Sequence, residues 1–113
     1  MASALLSSLE KLIGTPRDGA LLRFSLGTEY LKAGDGARAI AELREAVQRG
    51  PTFSAAWKTL GRALADSGHE TEALEAWSRG IEAARKKGDR QAEKEMTVFA
   101  RRLAKKLDRK PPA

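Results

Sequence analysis

The sequence predicts an all-α chain of about six helices arranged as antiparallel pairs, and three observations lead there. The chain repeats itself: a shift of 34 positions aligns Leu26 with Leu60, Gly27 with Gly61, Gly34 with Gly68 and Ala39 with Ala73. Between those identities fall like-for-like apolar pairs, Tyr30 with Leu64, Ile40 with Leu74, Leu43 with Trp77 and Val47 with Ile81. Apolar residues recur at the three-to-four spacing of an amphipathic helix, and each unit is broken once by a glycine-bearing turn, so each reads as two short helices.

The elements follow in order. Residues 3–13 place Leu5, Leu9, Leu12 and Ile13 at the offsets that Ala39, Leu43, Ala46 and Val47 hold 34 residues later, the pattern of a unit's second helix standing alone. Residues 20–53 make the first unit. Its first helix carries Leu22, Leu26, Tyr30 and Ala33 up to Gly34-Asp35-Gly36, and its second carries Ala39, Ile40, Leu43, Ala46 and Val47. That second helix stops near Gly50-Pro51, because proline disfavours helical geometry in the residue before it. Residues 54–87 make the second unit, with Trp57, Leu60, Gly61 and Leu64 before the Ser67-Gly68-His69 turn and Ala73, Leu74, Trp77 and Ile81 after it. Gly88-Asp89 then offers a stop and an N-cap, and Ala92, Met96, Phe99, Leu103 and Leu107 form one stripe along a helix over 89–108. Residues 110–113 read as a frayed end.

Glycine inside a helix costs about 1 kcal/mol relative to alanine, so its return at one place in both units calls for a compensating close contact. Gly27 is expected to face Ala39 and Gly61 to face Ala73, with Tyr30, Leu43, Trp57 and Trp77 filling the space beside them. For the two tryptophans a ligand platform is the alternative to core packing.

With 113 residues, 42% of them hydrophobic, the chain fits one modest domain. It has no cysteine and no apolar run near the roughly 20 residues that cross a bilayer, which closes the disulfide-scaffold and transmembrane classes. Residues 1–14 lack the basic start of a secretory signal, so a cytoplasmic protein without a membrane partner is expected. Thiol chemistry and any two-histidine metal set are excluded, because His69 is the one histidine. Its neighbours Glu70 and Glu72 fit a helix N-terminus, where acids are favoured. No phosphate-binding glycine loop occurs, and neither catalysis nor a cofactor is expected.

Charge is unevenly placed. Residues 1–84 hold 10 basic and 11 acidic side chains, whereas residues 85–113 hold 11 basic and 4 acidic ones. Arg101, Arg102, Lys105, Lys106, Arg109 and Lys110 form a basic patch that either meets phosphates or an acidic partner, or is a solvated helix end complementing the helix dipole.

Residues 20–85 resemble two tetratricopeptide repeats. Leu26, Gly27, Tyr30, Ala39, Leu43, Ala46 and Pro51 stand at signature positions in the first unit, and Trp57, Leu60, Gly61, Leu64, Ala73 and Trp77 in the second. Arg23 stands where the early tryptophan belongs, with Phe24 beside it as a substitute; Gly80 replaces an alanine and Arg85 the closing proline. The resemblance implies a right-handed α-α superhelix with a capping helix at each end. It also implies a non-catalytic module that binds a peptide or partner protein in a groove lined by the first helix of each pair. By similarity that groove would use Phe24, Thr28, Leu31 and Lys32 in the first unit and Lys58, Thr59, Arg62 and Asp66 in the second. Lys58 and Arg62 project from one helix face and could hold a carboxylate between them. The chain has no asparagine, so the chaperone-type carboxylate clamp of the family is not supported. Self-association through an incompletely capped end and nucleic-acid binding by the basic helix stand as alternatives, the second weakened by the lack of exposed aromatics interleaved with its cations.

Gly61→Leu is expected to force the helices of the second unit apart and to cost about 1–3 kcal/mol by overpacking. Thermal unfolding checks this, and a variant melting with the parent would refute the assigned register.

Overall fold

The computed structural model describes residues 3–109, and the expected frayed end over 110–113 lies outside them. Six helices and no strand occur among the described residues: α1 (Ala4–Glu10), α2 (Ala20–Lys32), α3 (Gly36–Arg49), α4 (Ser54–Asp66), α5 (Glu70–Lys87) and α6 (Arg90–Arg109). Each helix packs against the next in sequence. In addition α2 touches α4 and α4 touches α6, while the backbones of α3 and α5 stay apart. The alternate helices therefore form two layers, one in which neighbours converge and one in which they splay, and the pairs stack into an all-α superhelix. The shortest dimension, 18 Å, is that of two helix layers.

Local chemistry sets the boundaries. The Ser3 hydroxyl accepts from the Leu6 amide at 2.9 Å and the Asp35 carboxylate from the Arg38 amide at 3.1 Å, opening α1 and α3. Gly34 and Gly68 take φ of +79° and +83°, a left-handed turn that lets the second helix of each pair fold back on the first. Asp89 joins two elements at once. One oxygen accepts from the Ala92 amide at 3.1 Å to cap α6, and the other accepts at 3.0 Å from the hydroxyl of Ser54, the buried polar residue that begins α4. These bonds, the Ala92 amide first, hold the Asp89 carboxyl below the usual carboxylate range.

The core runs unbroken from Leu6 to Leu103. Leu22, Leu26 and Tyr30 are buried as expected, as are Ala39, Leu43, Ala46 and Val47, the Trp57–Leu64 stripe, and Ala92, Met96 and Leu103 of α6. Both tryptophans are core anchors: the Trp57 indole N–H donates to the Pro51 carbonyl at 2.8 Å and that of Trp77 to the Lys58 carbonyl at 3.2 Å.

Three expectations are corrected. In α1 the buried residue is Leu6, while Leu5 is 53% and Ile13 41% exposed. This helix ends at Glu10 and has α2 as its one neighbour, so it buries a single stripe set by its Ser3 cap. Ala33 is the exposed C-cap of α2 rather than part of its buried face. The two repeated glycines meet large side chains first: Gly61 faces the Trp77 ring in place of Ala73, and Gly27 faces Leu43, with the carbonyl of the expected Ala39 3.3 Å from an added Cβ. A Cβ added at Gly27 would lie 2.6 Å from Leu43 Cγ, and one at Gly61 would lie 2.1 Å from Trp77 Nε1. Gly80 belongs to the same set, since a Cβ there would meet Met96 Sδ at 2.4 Å and Trp57 Cβ at 2.7 Å.

Arg23, in the place of the missing tryptophan, binds ions instead of packing a ring. It donates to both Asp18 oxygens at 2.8 and 2.9 Å and to Glu42 at 2.8 Å, with the side chains of Arg23, Asp18 and Glu42 only 15%, 7% and 14% exposed. Phe24 turns the other way and packs on Phe53, ring centroids 4.9 Å apart. The Arg23 hydrogen bonds, followed by one from the Gly14 amide, hold Asp18 far below the ordinary carboxylate range. The unfolded chain then binds the Asp18 proton more readily than the folded one, so this contribution to stability is full at neutral pH and is lost progressively as pH falls below about 4. Asp18→Asn is expected to lower the melting temperature at pH 7 and to flatten its decline between pH 5 and pH 2; an unchanged acid decline would show that the clasp is not its source.

Candidate functional site

The converging layer, α2, α4 and α6, carries the residues expected to line a groove. Phe24 is half-buried against Phe53, and Thr28 is half-buried with its hydroxyl donating to the Phe24 carbonyl at 3.0 Å. These two residues also line a shallow hollow of about 230 Å³ whose other wall is Leu5 and Leu9 of α1. Leu31 is half-buried, and Lys32 is exposed and paired with Glu29 at 3.1 Å. The first unit thus offers mainly apolar and neutral groups on this side.

The second unit differs. Lys58 and Arg62 share a helix face, as expected of residues four apart, and Lys58 reaches across to Glu95 of α6 at 3.4 Å. Arg62 is exposed and makes no ion pair among the described residues, whereas every other Lys and Arg of α2, α3 and α4 makes one. Thr59 is half-buried and Asp66 exposed at the end of α4.

The basic patch meets this face at its far end. Arg101, Arg102, Lys105 and Lys106 are exposed on α6, while the Arg109 side chain and Lys110 lie outside the described residues. A hollow of about 280 Å³ opens between α4 and α6, floored by Trp77, Phe99, Leu103 and Ala65 and rimmed by Arg62, Asp66, Arg102 and Lys106. Trp77 and Phe99 stand 5.6 Å apart, tilted by 47°. The structure therefore brings together two residues of the expected groove and two of the expected basic patch, which the sequence offered as rival surfaces. The aromatic floor was missed as part of a site. Its signal was the spacing of Phe99, Arg102, Leu103 and Lys106, which places all four on one side of α6.

A larger groove of about 440 Å³ lies on the opposite, splayed side, between α3 and α5, and sequence reasoning did not identify it. Trp57, Leu60, Leu64, Val47 and Ala76 form its base. Its rim is internally neutralised: Arg44 pairs with Glu72 across the groove, Arg79 pairs with Glu75 at 3.1 Å, and the Arg79 guanidinium lies 5.9 Å from the Trp57 ring centre. The signal for it lay in the 34-residue register, which sets Arg23 and Glu42 in the first unit against Trp57 and the small Ala76 in the second.

Among the described residues no group of three His, Asp or Glu side chains comes together to hold a metal ion, and no helix is long and apolar enough to cross a membrane. His69 is exposed at the start of α5 and caps nothing with its side chain.

Comparison with known proteins agrees with this architecture. A family model described as tetratricopeptide repeat matches residues 30–93. A TPR repeat-containing protein of Pseudomonas aeruginosa is 48% identical over 99 residues, an alignment covering 88% of this chain and 94% of the relative. A protein from Bordetella parapertussis, known from its solution structure, is 40% identical with a TM-score of 0.78, over 92% of this chain and 90% of that one. A TPR domain from Aspergillus fumigatus, 24% identical over 96% of this chain and 72% of its own, has a TM-score of 0.78 and shares the fold. With the family model spanning more than half of the chain and the first of these relatives aligned along nearly its whole length, the chain belongs to the tetratricopeptide-repeat family.

Proposed function

We propose that the chain is a small cytoplasmic adaptor that binds a peptide or a helix of a partner protein on the face shared by α2, α4 and α6. The family is one of protein-interaction modules, and the observation that supports this face is the convergence of these three helices, which makes it concave, while α3 and α5 splay apart behind it. An extended ligand lying across a concave surface touches several helices at once, so contacts from the two units and from α6 add along its length. The opposite groove is larger, but its rim charges already satisfy one another and gain little from a charged partner.

The test is a peptide-display selection on the full chain, followed by mapping of amide shifts on isotope-labelled protein. Shifts are expected along α2, α4 and α6, and Leu31→Glu and Thr59→Arg are each expected to weaken the selected peptides about tenfold or more, ~1.4 kcal/mol, without changing helicity. Shifts confined to α3 and α5 would overturn the reading.

A further inference from the structure

We infer that the hollow between α4 and α6 takes an acidic peptide segment carrying one large apolar side chain, with the apolar group on Trp77, Phe99 and Leu103 and the carboxylates held by Arg62 and Arg102. This rests on the reading of the α2, α4 and α6 face as the binding face and names the chemistry of its occupant.

Size is the first argument. At about 280 Å³ the hollow falls just below the roughly 300–1,000 Å³ of sites that enclose a drug-sized ligand, and suits a single side chain of a longer segment. Its floor is apolar and fixed: Trp77 is buried, seated against Gly61 and hydrogen-bonded through its indole N–H, and Leu103 belongs to the buried stripe of α6. An apolar floor ringed by polar groups is the arrangement in which an anchor residue of a partner is desolvated once the segment covers it.

Charge supplies the rest. Arg62 lacks the carboxylate that every other basic residue of α2, α3 and α4 has, and Arg102 opposite it is likewise without an ion pair among the described residues. Lys106 is held by Glu70 at 3.6 Å and adds less. Two guanidiniums on either side of one hollow repel each other in the free protein, and each can grip a carboxylate with two parallel hydrogen bonds. Asp66, one turn beyond Arg62 at the negative end of α4, gives the hollow a direction: acidic groups of the segment are drawn to Arg62 and Arg102 and turned away from the α4 terminus. Nucleic acid fits less well, because stacking successive bases needs several exposed rings between the cations, and here Trp77 is buried and Phe99 half-buried.

The experiment titrates isotope-labelled full chain with a short, end-blocked peptide of glutamates around one phenylalanine. Controls are the same peptide with serine for phenylalanine, the same with lysines for glutamates, and an oligothymidylate. Saturable shifts on α4 and α6 are expected with the first peptide, at least tenfold weaker binding with either changed peptide, and a similar loss for Arg62→Glu and for Arg102→Glu. Arg62→Glu is expected to gain affinity for the lysine peptide, a reversal that mere loss of structure cannot produce. Lys94→Glu, an exposed charge change elsewhere on α6, is expected to leave binding within about twofold. Indifference to the phenylalanine or to the sign of residue 62, or tighter binding of the oligothymidylate, overturns the inference. If the acidic peptide fails while display-selected peptides still map to α2, α4 and α6, the chemistry is wrong and the binding face stands; if those map elsewhere, both fall.

Discussion

The structure depends on one constraint, the seating of a large side chain from one helix against the bare backbone of the next. Leu43 sits on Gly27, Trp77 on Gly61, and Met96 and Trp57 close around Gly80. Any β-carbon at these three points would collide with a neighbour, so the spacing of α2 from α3, of α4 from α5, and of α5 from α4 and α6 is set there. Interiors packed to crystal density have little slack to absorb such a collision. The candidate site inherits this constraint. Only because Gly61 admits the Trp77 ring does that ring reach the Lys58 carbonyl and present its far side beside Phe99 as a floor. Gly80 does the same for α6, letting the Met96 side chain sink in and bringing the basic helix down onto the two units.

The two units solve one packing problem with opposite chemistry. Where the second places Trp57 in a space lined by Ala76, the first places Arg23 against Glu42, with Asp18 completing the clasp. An ion cluster of this kind loses hydration on folding and regains it only through good geometry, so a well-packed ring is at least its equal in stability. What the clasp adds is definition. Asp18 lies in the linker before α2 and Glu42 on α3, so the Arg23 guanidinium ties the linker and both helices of the first unit to one arrangement, and Arg49 reaches the Asp18 carbonyl at 3.1 Å from the end of α3. The groove between α3 and α5 is the other consequence, since the tryptophan side of this substitution leaves a broad apolar base there.

The four helices of the two units were legible because two independent signals, the apolar period and the glycine turns, agreed on where each pair folds back. Legibility fell where a residue's surroundings are set by distant chain. Leu5 and Leu6 are equivalent on pattern alone, and only the Ser3 cap and the single neighbour of α1 decide between them. Spacing placed Gly27 and Gly61 opposite the partner helix but could not say which side chain closes on them; Leu43 and Trp77 lie one turn beyond the alanines that the register aligns, and Ala39 still lends its carbonyl to the Gly27 contact. The site was half legible for the same reason. Arg62 and Arg102 were both singled out, yet their meeting depends on how α6 docks, and the loss of Lys58 to Glu95 depends on a contact spanning 37 positions.

That docking gives α6 two roles from one amphipathic pattern. As a cap it has to bury Ala92, Met96 and Leu103 against α5, which fixes its rotation about its own axis. With the rotation fixed, Glu95 is turned toward Lys58 near the start of the helix and Arg102 toward Arg62 two turns later. The two interhelical meetings differ in sign: the first pair attracts and holds α6 to α4, while the second sets two arginines on one rim, with Asp66 beside Arg62 at the end of α4. Both arginines are exposed at the edge of an apolar floor, so their field reaches a carboxylate arriving from solvent. The step that completes the fold is thus the same step that assembles an anion-seeking hollow, and the two cannot be altered independently through residues of the buried stripe.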